Sequence, residues 1–255
     1  MSELLVEKQG GVTILTFNRP DRMNAISGPM LSAFSEQLLE ANRDPEVRVV
    51  VITGAGRAFC AGLDLKDQGG SNLAGAGFDV REAPPVVLHQ MDKPTIAAIN
   101  GGAAGYGMDL AIGCDIRLAS DAAKLSAAFT KRGVLPESGG TWLMPRLVGW
   151  AKASEIFFTG RTLTAEECLE LGLVSKVVPG ELLMKETLAL AQEIAANAPL
   201  AVQGTKRMMR MALEESFEAN VHHVYLQLLP LFRTKDFAEG VKSFLEKRAP
   251  KFEGK

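Results

Sequence analysis

Residues 93–120 read KPTIAAINGGAAGYGMDLAIGCDIRLAS, and this stretch decides the fold. The apolar run TIAAI has the composition of a strand that is buried on both faces. It leads into a turn of glycine and alanine, after which the segment MDLAIG is typical of an apolar helix. DIRLAS then begins a second strand of the same kind. A strand, a helix and another strand in this order predict parallel pairing through a helical crossover.

The same pattern extends towards the N-terminus. Residues 11–18 (GVTILTFN) and 47–56 (VRVVVITGAG) are β-rich runs bounded by glycine or by turn residues. Between them, residues 27–44 repeat apolar side chains at helical spacing, with Ser27 as the predicted N-cap. These alternating elements assign the chain to the α/β class.

The last third of the chain has a different character. Thr164 and Glu167 form a predicted capping box, and three helical stretches separated by prolines follow. We therefore predict a core domain over residues 1–198 and a C-terminal helical region over residues 199–255. The glycine-rich residues 66–85 are predicted to be a long loop, either a surface insertion or a wall around a variable substrate.

Composition excludes several classes of protein. The 255 residues are 47% apolar, and their formal net charge of −2 provides no field that favours nucleic acid or an anionic membrane. No apolar run has transmembrane length, and the first residues lack a signal-peptide pattern. Cys60, Cys114 and Cys168 lack the spacing of a metal site or a disulfide framework, so no metal site is predicted. A cytoplasmic location fits this cysteine usage best.

Two glycine-containing turns follow buried strands and are candidates for chemistry. They lie at residues 55–65 (AGRAFCAGLDL) and 100–111 (NGGAAGYGMDLA). A helix that starts near Gly107 would present free N–H groups and the positive end of its dipole. Two such turns side by side can each direct one backbone N–H at a single oxygen, which is an oxyanion hole. Neither turn has the spacing of a phosphate loop or of a dinucleotide fingerprint.

Four motifs in order resemble the crotonase superfamily, the enoyl-CoA hydratases and isomerases. They are AFCAGLDL (58–65), the stretch at 93–120, GGTWLMPRLVG (139–149) and FFTGRTLTAEECLELGLVSKVVP (157–179). The resemblance covers almost the whole chain. It implies a crotonase-like spiral of ββα units, followed by a C-terminal helical trimerisation region that assembles homotrimers or hexamers (dimers of trimers). It also implies acyl-CoA thioesters as substrates, with coenzyme A as part of the substrate and no permanently bound cofactor.

The resemblance assigns the two oxyanion donors to the backbone N–H groups of Leu63 and Tyr106. Relatives usually carry glycine at the second position. A tyrosine keeps the backbone donor, but its side chain is expected to change the shape of the acyl pocket. Holding the thioester oxygen as it gains negative charge lowers the barrier to removing a proton from the neighbouring carbon.

The carboxyl groups distinguish the possible reactions. Typical hydratases of the superfamily use two glutamates, and the matching positions here hold Asp109 and Phe129. Phenylalanine cannot accept a proton, so the usual hydratase pair is incomplete. Glu137 lies where several isomerase-type relatives, and the dehalogenase branch, carry an acid. Apolar pocket walls such as Phe129 and Trp142 would raise the pKa of Glu137.

One carboxylate can remove a proton at one carbon and return it at another, so we predict an enoyl-CoA isomerase with Glu137 as acid/base and Asp109 as its assistant or a second base. The alternative is an enoyl-CoA hydratase that uses Asp109 and Glu137 as a nonstandard pair. An alternative of another class is a non-catalytic member that binds a CoA ester, RNA or a partner protein. A dehalogenase would need a particular histidine, and His89, His222 and His223 are interpreted as structural.

The resemblance also indicates contacts to coenzyme A. It places them at the turn of residues 22–24, at the loop of residues 61–65 with the lysine beyond it, and at the C-terminal segment SFLEKR, which often completes the site of a neighbouring subunit. An arginine near the loop is a further basic candidate. The predicted contacts are Arg22, Met23, Asn24, Arg57, Ala61, Lys66, Phe244 and Lys247. A solvated surface charge explains any one of these cations equally well.

Overall fold

The computed structural model describes residues 2–64 and 80–255. The described residues form two β-sheets covered by helices. The strands are β1 Leu4–Gln9, β2 Val12–Phe17, β3 Val49–Gly54, β4 Ala58–Cys60, β5 Thr95–Ile99, β6 Gly102–Ala104, β7 Ile116–Ser120, β8 Lys124–Ser126, β9 Thr162–Thr164 and β10 Lys176–Val178.

The helices lie between these strands and after them. They are α1 Gly28–Arg43, α2 Pro84–Gln90, α3 Tyr106–Gly113, α4 Gly140–Val148, α5 Trp150–Thr159, α6 Ala165–Glu170, α7 Leu183–Ala195, α8 Pro199–Met211, α9 Phe217–Leu231 and α10 Lys235–Leu245. Of the predicted loop at residues 66–85, the described part contains a short 3₁₀ turn, Val80–Glu82, and the start of α2.

The two sheets are built from repeated ββα units. The larger sheet has the order β1-β2-β3-β5-β7-β10, and the smaller one has the order β4-β6-β8-β9. Strands β3, β5 and β7 pair in parallel in the large sheet, and each is followed by a short strand that joins the small sheet. The chain therefore advances as a spiral of ββα units, which confirms the predicted fold class.

The large sheet is buried on both faces. Along β3, Val50 and Ile52 face the main apolar core, whereas Val49 and Val51 face a second core that α7 covers. Successive side chains of a strand point to opposite sides, so an uninterrupted apolar run needs a cover on each side. The continuous apolar composition of this strand was therefore a correct indication of its position.

Local signals also agree with the structure. Ser27 caps α1 by accepting a hydrogen bond from Met30 N, and Thr164 and Glu167 form the predicted capping box of α6. The β1–β2 hairpin was not predicted, although it turns at Gly10 and Gly11, which both have positive φ. The strands of the small sheet are only three residues long, too short for a periodic pattern to form.

The C-terminal region is helical, as predicted, and α8 begins at Pro199. The boundary between residues 198 and 199 as a domain limit stays a prediction. The tail returns to the large sheet, where the Arg48 guanidinium donates to the carbonyl oxygens of Ala195 and Phe252. All three cysteines are buried and free, and no helix of the described residues combines the length and apolarity needed to cross a membrane.

Candidate active site

The first candidate donor lies just after β4. Leu63 forms an isolated parallel bridge with Ile26, in which Ile26 N donates to Gly62 O and Asp64 N donates to Ile26 O. In this pattern the N–H of Leu63 itself points away from Ile26. Among the described residues it has no acceptor. The turn that directs it is made by Gly62, which has φ +97°.

The second candidate donor lies just after β6, at the start of α3. Gly105 adopts φ 52° and ψ −123° and donates its N–H to Ser126 O, which reverses the chain direction before the helix. Tyr106 is the first helical residue, so its N–H has no intrahelical acceptor. The helix dipole adds partial positive charge at this end.

The two turns lie against each other. Strands β4 and β6 are parallel neighbours, so both turns leave the sheet at the same edge. A methyl group added at Gly62 would lie 2.9 Å from Ala104 O and 3.5 Å from Tyr106 N, and one added at Gly107 would lie 2.2 Å from Cys60 O. Only glycine permits these approaches. The structure thus packs the turn that carries Leu63 against the turn that carries Tyr106.

Asp109 follows one turn later on α3 and is fully buried. Its Oδ2 accepts hydrogen bonds from Ser138 Oγ at 3.0 Å and from Gly140 N at 3.2 Å. Its Oδ1 is enclosed and has no hydrogen-bond partner within the described residues. Burial raises the pKa of Asp109 to about 7, and the negative charge of Glu137 acts in the same direction, against the two donors. At neutral pH the group can therefore hold or release a proton.

Glu137 directly precedes Ser138 in the turn that leads to α4. Its side chain remains exposed, unlike that of Asp109. Enough protein surrounds the carboxyl group that desolvation raises the pKa of Glu137 above its ordinary value. The negative charge of Glu137 acts on Asp109, and Ser138, the residue after Glu137, donates to Asp109 Oδ2, so the two acids lie in one region, one exposed and one buried.

The predicted pocket walls differ in their surroundings. Phe129 is 3% exposed, packs edge-on against Phe157, and would be 3.9 Å from a methyl group added at Gly105. It therefore lies beside the second donor turn. Trp142 is half-buried, with its ring against His89 and the Arg146 guanidinium 3.8 Å above it. His89 has the packing role that the sequence indicated.

Five of the predicted coenzyme A contacts form one wall beside the first donor turn. Ala61 N donates to Met23 O, and the Arg57 guanidinium lies 3.8 Å from the Met23 sulphur. The buried Asn24 side chain donates to Ala55 O and Ala58 O and accepts from Arg19 N. The Asn24 side chain therefore holds the wall together and is not itself free to meet a ligand. Arg22 is exposed on the same turn.

The remaining predicted contacts lie elsewhere. Phe244 is 82% exposed near the end of α10, and Lys247 follows it in a left-handed conformation with φ 53°. Neither contacts the donor turns of its own chain among the contacts that the described residues make. Lys66 lies outside the described residues.

Sequence reasoning missed Ser138 and Gly140. Ser138 is 3% exposed, and a methyl group at Gly140 would lie only 2.3 Å from Asp109 Oδ1. Both residues therefore shape the surroundings of Asp109. The signal was the sequence SGGT directly after Glu137, in which two small residues precede an apolar helix. Nothing in that sequence indicates which side chain from α3 would meet them.

Two backbone donors at one sheet edge, beside a buried acid and an exposed one, are the parts needed by an enzyme that stabilises an enolate. The family model described as enoyl-CoA hydratase/isomerase matches residues 7–255. The chain therefore belongs to the enoyl-CoA hydratase/isomerase family, within the crotonase superfamily, and is an acyl-CoA enzyme of that family.

Individual relatives agree on the family and differ in their reactions. The chain is 37% identical over 255 residues to the 2,3-dehydroadipyl-CoA hydratase of Escherichia coli and 38% identical over 263 residues to the 1,2-epoxyphenylacetyl-CoA isomerase of the same organism, with all of each chain covered. A probable enoyl-CoA hydratase/isomerase from Mycobacterium abscessus superposes with a TM-score of 0.94 at 32% identity, covering 100% of this chain and 99% of the other.

Proposed function

We propose that this enzyme shifts a carbon–carbon double bond in an enoyl-CoA thioester, with Glu137 as the acid/base. The observation that carries the proposal is the buried Phe129 beside the second donor turn, where a hydratase would place its second acid. Asp109 is buried and Phe129 is not an acid. Glu137 is exposed and is therefore the carboxylate that can contact the substrate.

The steps use the chain's own groups. Glu137 takes the α-proton of a β,γ-enoyl thioester, and the electrons of that C–H bond pass into a dienolate whose charge develops on the thioester oxygen. The N–H groups of Leu63 and Tyr106 stabilise that oxygen more strongly in the transition state than in the substrate. Glu137 then returns the proton to the γ-carbon, which gives the α,β-enoyl thioester. No atoms are gained or lost.

The raised pKa of Glu137 supports this role. A carboxylate partly removed from water has a raised pKa, so it is a stronger base than a free one and keeps the proton until the return step. Asp109 has a pKa of about 7, so it assists Glu137 by keeping or giving up its own proton.

The second candidate is water addition by Asp109 and Glu137. It is favoured by the shared electrostatics of the two acids and by Asp109 Oδ1, which has no protein partner among the described residues. A water held between the acids would give hydratase chemistry. The relatives include both a hydratase and an isomerase.

The first experiment incubates the enzyme with a panel of α,β- and β,γ-enoyl-CoA esters and measures product mass. Isomerisation leaves the mass unchanged, whereas hydration adds the mass of water. An enzyme that only adds water would overturn the isomerase proposal. Failure of every CoA ester to bind would instead favour a non-catalytic role in binding RNA or a partner protein.

The second experiment compares Glu137→Gln with Glu193→Gln, a control on the exposed face of α7. We expect Glu137→Gln to slow isomerisation roughly 10²- to 10⁴-fold, because the proton carrier is lost. Its affinity for a saturated acyl-CoA should change little, because the backbone donors remain. Unchanged turnover would remove Glu137 from the mechanism.

The proposal also covers the contacts to coenzyme A, the oligomeric state and the location of the enzyme. Coenzyme A would lie along the wall of Arg22, Met23, Asn24, Arg57 and Ala61, and Phe244 and Lys247 would complete the site of a neighbouring subunit in a homotrimer or hexamer. The exposure of Phe244 in the single chain supports this role. A cytoplasmic location is part of the proposal, supported by three cysteines that remain free thiols.

A further inference from the structure

The side chain of Tyr106 has no part in the proposed mechanism, which uses only its backbone N–H. The residue is 6% exposed, and in the described part of the chain its hydroxyl makes no hydrogen bond. A hydroxyl this deep in the protein without a protein partner depends on what occupies the space that it faces, because an unsatisfied hydroxyl is unfavourable. Such a group needs an explanation.

The hydroxyl is not sealed inside the protein. The enclosed side-chain polar atoms without a partner, among the described residues, are Thr13 Oγ1, Asp109 Oδ1, Arg161 Nε and Thr187 Oγ1. Tyr106 Oη is absent from that set, so the small exposed fraction of the residue includes its oxygen. The hydroxyl therefore opens onto free space.

The helix places that space in the candidate site. Tyr106 and Asp109 are three residues apart on α3, a spacing that puts their side chains on the same helix face. The Tyr106 backbone is at the donor turn, and Phe129 packs beside that turn. The tyrosine side chain thus belongs to the same helix face as Asp109, beside the second donor turn.

The electrostatic surroundings determine what the hydroxyl can do. Burial raises the pKa of Tyr106, and the negative charge of Glu137 raises it further. The phenol therefore stays protonated and acts as a hydrogen-bond donor. The two nearby acids disfavour a second negative charge, so a neutral oxygen suits the donor better than a carboxylate.

We propose that the Tyr106 hydroxyl donates a hydrogen bond to a neutral oxygen on the acyl chain, so that the enzyme prefers thioesters bearing an oxo or hydroxyl group over plain hydrocarbon acyl groups. This inference rests on the proposed acyl-CoA function and adds a substrate class to it. A hydrocarbon chain leaves the hydroxyl unpartnered, whereas an oxo-acyl chain satisfies it. A site with a built-in hydrogen-bond partner discriminates against analogues that lack the matching group.

The test measures binding of saturated acyl-CoA esters, which cannot undergo the double-bond shift. One series has a single chain length, with an oxo group moved one carbon at a time beyond the β-carbon, and the reference is the plain hydrocarbon ester. We expect the wild-type enzyme to bind at least one oxo ester about tenfold more tightly than the reference. Tyr106→Phe should remove that preference.

Tyr225→Phe is the matched control, because Tyr225 lies 59% exposed on α9 and is the other tyrosine of the chain. It should keep the wild-type preference. The inference is overturned if no oxo position is preferred, or if Tyr106→Phe keeps the preference, while the esters still bind. If neither kind of ester binds the wild-type enzyme, the acyl-CoA proposal itself has failed and this inference fails with it.

Discussion

Ser138 donates its hydroxyl hydrogen to Asp109 Oδ2 over 3.0 Å, and this bond joins the residue after Glu137 to the acid on α3. Gly140 N adds a second donor to the same oxygen at 3.2 Å. The two acids are therefore not independent side chains. The turn that carries Glu137 is fixed to the helix that carries Asp109, and a change in one acid's surroundings reaches the other.

Ser138→Ala removes the stronger of these two contacts. Because the Ser138 bond holds the pKa of Asp109 down, the variant should titrate Asp109 at a higher pH. At a pH above 7 we expect the free energy of unfolding to fall by about 1–3 kcal/mol, since a buried carboxylate loses a donor. Denaturant titration measures this. Ser154→Ala on α5 is the control, and equal losses in both variants would contradict the role of Ser138.

The pH dependence of stability follows from Asp109. Its folded-state pKa of about 7 lies above its ordinary value of 3.8, so the folded protein binds this proton more tightly than the unfolded chain. The stabilisation is complete below the ordinary value and is lost as the pH rises through about 7. Since one pKa unit corresponds to about 1.4 kcal/mol, the change is at most about 4 kcal/mol.

Asp109→Asn removes this titration and keeps an oxygen for Ser138 and Gly140. We expect the wild type to lose stability relative to the variant between about pH 4 and about pH 7, with the variant the more stable above that window. Urea denaturation of both proteins across this range measures the difference. Parallel stability curves would show that Asp109 does not titrate there.

Gly140→Ala tests the close approach of α4 to α3. The added methyl group would lie 2.3 Å from Asp109 Oδ1, a distance that real contacts do not reach, so the helix start or the carboxyl group must move. We expect a loss of stability of about 1–3 kcal/mol and a loss of turnover. Gly28→Ala is the control, because a methyl group at that helix position meets no atom within 4 Å. If the two variants behave alike, the contact is unimportant.

Phe129→Glu restores an acid at the position of the second hydratase glutamate. We expect a gain of water addition to a short α,β-enoyl-CoA, at the cost of stability, because Phe129 is buried in the main core. Phe129→Gln has nearly the same size but cannot accept a proton, and should show no gain. Product mass measures the outcome. A folded Phe129→Glu variant without water addition would weaken the interpretation that one missing acid separates the two reactions.

The assembly can be measured directly. If Phe244 and Lys247 complete a neighbouring site, the protein should run as a trimer or hexamer in light scattering. Phe244→Asp should lower that mass or weaken binding of a saturated acyl-CoA, because this exposed apolar side chain would meet the neighbouring subunit. A stable monomer with full affinity for the ester would contradict the shared site.

Much of the fold could be predicted because it depends on long, uniform patterns. The apolar run of β3 indicated a strand buried on both faces, and the Ser27 and Thr164 caps marked the starts of helices. The small sheet escaped prediction because its three-residue strands owe their pairing to the neighbouring strands and not to local propensity.

In the site, too, local patterns could be predicted, whereas contacts between distant segments could not. Glycine turns after buried strands predicted which backbone N–H groups lack an acceptor, because this depends only on where a strand ends and the next helix begins. The bond from Ser138 to Asp109 links residues 29 positions apart and depends on how α4 meets α3. No local pattern encodes that meeting. The same reason explains why the contact between Trp142 and His89 was not predicted.

The bridge between Ile26 and Leu63 has a consequence for how the enzyme is made. The Leu63 donor takes its orientation from a segment near the start of the chain, and Asn24 fastens that segment to Ala55 and Ala58. During synthesis the first donor turn can form early, whereas the second donor turn needs α3 to emerge and dock. A truncation before α1 would remove the Ile26 bridge together with β2, whose Leu15 and Phe17 are fully buried in the main core, so the first donor turn and the large sheet depend on the same N-terminal segment.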